Sequence, residues 1–85
     1  MSIEELVEKY ITNAQQVFKQ IGKSSQGEDA GAVLDYAERY LEDAVFYRSQ
    51  KGFETALVSV AYCEGLLDAL KLLGMVEFQW PTESK

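Results

Sequence analysis

Glu64 and Asp68 stand four residues apart, the spacing that sets two carboxylates side by side on one face of a helix. Such a pair repels unless a cation intervenes, and Lys71 is placed to be that cation. The chemical alternative is a divalent metal held by Glu64, Asp68 and an acid of the preceding helix, because helical bundles build metal sites from inward-facing carboxylates. Di-iron sites of that type need Glu-x-x-His pairs, and the chain has no histidine. All-α magnesium-dependent pyrophosphatases use paired Glu-x-x-Glu motifs, whereas Glu5 and Glu8 form one such motif standing alone. No metal and no cofactor is therefore expected.

Arg39 has Asp35 and Asp43 one helical turn to either side, and a hairpin of the two helices would set Glu64 roughly opposite it. Two readings follow. The first is a structural ion-pair network at the edge of a bundle, the commoner arrangement. The second is a small-molecule or metal-binding pocket, or an enzyme site, using Arg39, Asp43, Glu64 and Asp68 with Tyr36 and Tyr40 as hydrogen-bonding walls. Cys63 has no histidine to activate it and sits in an apolar pattern, so it reads as a small core hydrophobe.

The elements that carry these residues are helical. Ser2 and Glu5 have capping-box spacing, and Ile3, Leu6, Val7, Tyr10, Ile11, Ala14, Val17, Phe18 and Ile21 recur at three- and four-residue steps. A first helix over about 2–21 follows, ended by Gly22 and a polar loop at 23–27. The second helix is predicted at about 28–51, with Val33, Ala37, Tyr40, Ala44 and Tyr47 as its core stripe, Tyr36 and Leu41 at the flanks, and Gly52 as its stop. The third is predicted over 53–73, up to Gly74. Its apolar residues fall on two faces: Ala56, Val60, Cys63, Leu67 and Leu70 on one, Val58, Tyr62, Leu66, Ala69 and Leu73 on the other. A helix apolar over so much of its circumference is buried on more than one side. Gly65, in its interior, is expected where another helix approaches closely.

The fold class is all-α: a three-helix up-down-up bundle over 1–74 with an extended C-terminal tail over 75–85. Val76, Phe78 and Trp80 alternate with Glu77 and Gln79, a period-2 pattern of extended chain. The pattern leaves open whether this tail covers the third helix or leaves it free.

At 85 residues, 47% of them hydrophobic and 26% charged, the chain fits one globular domain rather than a disordered one. No apolar run approaches the roughly 18 residues of a membrane span, and no signal peptide opens the sequence, so a cytoplasmic protein is expected. One cysteine and no histidine exclude the usual zinc constellations. Eight scattered basic residues against fourteen acids, a net charge of −6, offer no stripe for phosphates, so nucleic acid is not an expected partner.

The run Tyr40-Leu41-Glu42-Asp43-Ala44, then Phe46, Lys51-Gly52, Ala56, Tyr62 and Glu64-Gly65-Leu66-Leu67-Asp68-Ala69-Leu70, resembles the archaeal family known as domain of unknown function 357. Phe53 departs from the acidic residue that family would place after the glycine. The resemblance implies a three-helix bundle of archaeal origin and no established activity.

The favoured function is a non-catalytic protein-interaction or assembly module. The surplus apolar residues Phe46, Val58, Tyr62, Leu66, Leu73, Phe78 and Trp80 would then meet a second copy of the chain or another protein, because contiguous exposed apolar surface marks interfaces.

Overall fold

Three α-helices, α1 (Ile3–Ile21), α2 (Gly27–Ser49) and α3 (Phe53–Leu72), are arranged up-down-up in the computed structural model, which describes residues 1–22 and 27–81. Of the polar loop predicted at 23–27, residues 23–26 lie outside the described residues, as do the last tail residues, 82–85, while Gly27 is the first residue of α2 rather than loop. Each boundary has a local cause. At the start of α1 the Glu5 backbone N–H donates to the Ser2 hydroxyl (3.1 Å) and the Ser2 N–H donates to Glu5 Oε1 (2.9 Å). This reciprocal pair satisfies two donors that have no partner inside the helix. Those hydrogen bonds, the backbone one foremost, hold the Glu5 carboxyl below its ordinary pKa.

The turn between α2 and α3 departs from expectation. Gly52 was predicted to end α2, yet Lys51 takes the left-handed position, with φ 63°, while Gly52 has φ −87° and caps α3. The Lys51 N–H donates to Arg48 O (2.9 Å) and the Gly52 N–H to Tyr47 O (2.8 Å), the two reverse bonds of a Schellman ending. For a residue with a Cβ that conformation costs roughly 1–2 kcal/mol. It lets a three-residue connection reverse the chain.

At the end of α3 the same motif uses the glycine the sequence pointed to. Gly74 (φ 72°) donates to Lys71 O, and Met75 donates to Leu70 O at 2.9 Å.

The core is lined by Val7, Ile11, Ala14, Val17 and Ile21 of α1, as their spacing predicts, and by Ala56, Val60, Cys63, Leu67 and Leu70 of α3. In α2 the stripe is rotated from the predicted one. Ala30, Ala37, Leu41 and Ala44 are buried, Val33 and Tyr40 are half-buried, and Tyr36 and Tyr47 are exposed. The small alanine side chains leave room for α3 to pack against this side of α2. The tyrosines take the edges, where the ring packs and the hydroxyl reaches water.

The tail turns back across the α1 and α3 side of the bundle in extended form. Val76 and Phe78 enter the core and Glu77 and Gln79 point outward, as the period-2 pattern requires. The side chain of Gln20 grips the backbone of Gln79 twice, donating from Nε2 to its carbonyl (2.7 Å) and accepting its N–H at Oε1 (2.9 Å).

Candidate functional site

The polar residues singled out from the sequence do not converge. Arg39 makes no ion pair with Glu64; its guanidinium lies 5.6 Å from the ring centroid of Tyr36. Among the described residues an ion pair joins Arg48 to Glu8 at 2.9 Å, across from α2 to α1. It is solvent-exposed, and such pairs contribute at most about 1 kcal/mol. Asp68 is occupied by the tail, its Oδ1 accepting from Trp80 Nε1 at 2.6 Å. Lys71, expected between the two carboxylates, has its Nζ 5.0 Å from the ring centroid of Phe78. Asp35 and Asp43 are exposed on α2. Among the described residues no three acids or cysteines are grouped closely enough to hold a metal ion. Cys63 is fully buried, and burial, with a smaller contribution from Glu64, pushes its thiol up to about 12, far from a reactive thiolate.

Glu64 is half-buried, and burial first, then the nearby Asp68 carboxylate, holds its carboxyl above the ordinary glutamate value. The folded chain therefore binds this proton more tightly than the unfolded chain does. Stability linked to Glu64 is fullest in acid, below the ordinary value near about 4.3, and falls as pH rises through the raised one. Glu64→Gln keeps the shape and removes the charge. It should raise the melting temperature at neutral pH, and the gain should shrink toward pH 4; a pH-independent gain in thermal melts would contradict this origin.

The apolar candidates separate into two groups. Phe78 and Trp80 turn inward. Phe78 is only 9% exposed, and Trp80 packs against it edge-to-face, the ring centroids 5.2 Å apart. Their expected place on an outward face is thus corrected: burying both rings stabilises the chain's own core more than leaving them in water. Phe46 is exposed but pairs edge-on with Tyr47 and lines neither of the grooves below.

Val58 (56% exposed), Tyr62 (60%) and Leu73 (73%) remain in solvent, and Leu66 is half-buried beside them. Leu72, 87% exposed, extends the patch. It lies seven residues from Gly65 and three from Ala69, a helical spacing that was readable in the sequence but assigned to neither face. A shallow groove of about 400 Å³ runs along this side of α3, lined by Val58, Ala61, Tyr62, Gly65 and Leu66. A second groove, lined by Val33, Tyr36, Tyr40, Tyr62 and Leu66, continues it onto α2. Tyr62 and Leu66 belong to both. The Tyr40 and Tyr62 rings stack at 5.3 Å and bridge the two helices. Gly65 is not where another helix of this chain approaches: a Cβ built there would meet nothing within 4 Å among the described residues. The sequence signal for this groove was the second apolar face, and what it lacked was the knowledge that the tail would cover a different side.

No curated protein and no solved structure matches the chain. Residues 4–76 match the family described as Protein of unknown function (DUF357), a span that takes in all three helices and the start of the tail. The chain belongs to that family.

Proposed function

We propose that this chain is a non-catalytic docking module that binds protein through the outward side of α3. One observation carries the reading. Val58, Ala61, Tyr62, Gly65, Leu66, Ala69, Leu72 and Leu73 make a helix face without a charge, open to solvent from the second turn of α3 to its end, on a chain of net charge −6. Contiguous apolar surface of this kind is characteristic of interaction sites, and Tyr62 is the kind of anchor interfaces favour. The scattered basic residues argue for protein rather than nucleic acid as the partner, and no helix among the described residues is long and apolar enough to cross a membrane. An intracellular setting fits the buried free thiol.

The test is site-specific photo-crosslinking in cells. A benzophenone side chain at position 62 is expected to give one dominant covalent protein adduct, whereas the same probe at Thr12, exposed on α1, gives none. Equal, diffuse labelling from both positions would defeat the docking reading.

A further inference from the structure

We infer that the occupant of the α3 face is a second copy of this chain, packed antiparallel, α3 against α3, about a two-fold axis at Gly65. The inference rests on the docking reading above and specifies its partner. A two-fold through position 65 sets Ala61 opposite Ala69 of the second copy and Val58 opposite its Leu72, so small residues meet at the centre and large ones at both ends. That is the self-complementarity an isologous interface requires.

The empty space over Gly65 supports it. Glycine is the least favourable ordinary residue, after proline, in a helix interior. Among the described residues nothing uses the missing side chain, whereas a helix crossing at this point would need the room.

Charge points the same way. Two copies of a chain with net charge −6 repel wherever acids face acids. On α3 the exposed acids Glu54 and Asp68 stand at the start of the helix and beside the tail, and the strip between Val58 and Leu73 carries neither. Along the strip itself two copies can meet without opposing carboxylates, and Asp68 at its border is already bonded to Trp80. Extent is the last consideration. A stable interface takes roughly 800 Å² from each partner, and the adjoining groove lined by Val33, Tyr36 and Tyr40 continues the apolar surface from α3 onto α2.

Sedimentation equilibrium on the full chain tests this. The expected result is a mass that doubles with concentration, with association tightening as salt rises, because salt screens the like net charges. Gly65→Leu should weaken the dimer at least tenfold, yet melt no lower than the parent at concentrations where both are monomers. Thr12→Leu should leave the dimer intact. A strict monomer up to millimolar concentration overturns the inference, as does a dimer indifferent to Gly65→Leu. A monomer whose position-62 probe captures a different protein overturns the second copy alone and leaves the docking reading standing; a monomer whose probe captures nothing removes both.

Discussion

Phe78→Ala is expected to lower the unfolding free energy by about 3 kcal/mol, the lower end of the range for truncating a buried phenylalanine. Phe78 lies outside the three helices, so a view of the protein as a bundle with an appendage would place the effect near zero. It is buried with Val76 in the same core as α1 and α3, and its ring touches both Trp80 and the Lys71 ammonium. Domains of this size are stable by roughly 4–13 kcal/mol at typical per-residue values, so the loss is at least about a fifth of the total. Guanidinium denaturation followed by far-UV circular dichroism measures it. Trp80, the sole tryptophan, reports the tail separately: with Phe78 gone its emission should shift to the red before the helices unfold. A change below about 0.5 kcal/mol, the scatter of ordinary surface substitutions, would show that the tail only rests on the bundle.

This arrangement bears on the docking face. Covering α3 from the α1 side with Val76, Phe78 and Trp80 uses up one of its two apolar surfaces. The Gln20 grip on Gln79 and the Trp80 bond to Asp68 fix the tail there. The Val58 to Leu73 side therefore stays open for a structural reason: the alternating tail has one apolar edge, and it is already committed.

Where a single periodicity decided the outcome, the sequence was a sufficient guide. The capping box at Ser2, the inward face of α1, the inward face of α3 and the glycine at 74 all express rules that act within one or two helical turns. What escaped sequence reasoning depended on distances between elements. In α2 the angular pattern rightly places Ala37 and Ala44 inward, and the packing of α3 decides the rest for Ala30 and Leu41 over Tyr40 and Tyr47. The supposed partnership of Arg39 with Glu64 assumed a rotation of the hairpin that the buried Leu41 and the alanines do not allow, leaving Arg39 to its neighbour Tyr36. Asp68 was legible as an acid needing a partner, but that partner came from the tail. Gly65 was legible as unusual, while the emptiness above it is visible only once the helices are placed.

Leu67 and Leu72 put the division of α3 to a quantitative test. Leu67 is fully buried and Leu72 is 87% exposed, five residues apart on one helix, with the same side chain and the same helix propensity. Leu67→Ala should cost about 2–5 kcal/mol, because it removes apolar contact and leaves a cavity that a close-packed core fills only in part. Leu72→Ala should fall within about 0.5 kcal/mol of the parent in the monomer, since it empties no cavity and alanine is the better helix former. At concentrations where two copies associate the second variant should change character, shifting the dimerisation midpoint upward severalfold while its monomer stability holds. Chemical denaturation at low protein concentration, paired with sedimentation at high concentration, separates the two effects. If Leu72→Ala destabilised the monomer as much as Leu67→Ala, the outward side of α3 would be core rather than surface, and the docking face would have no physical basis.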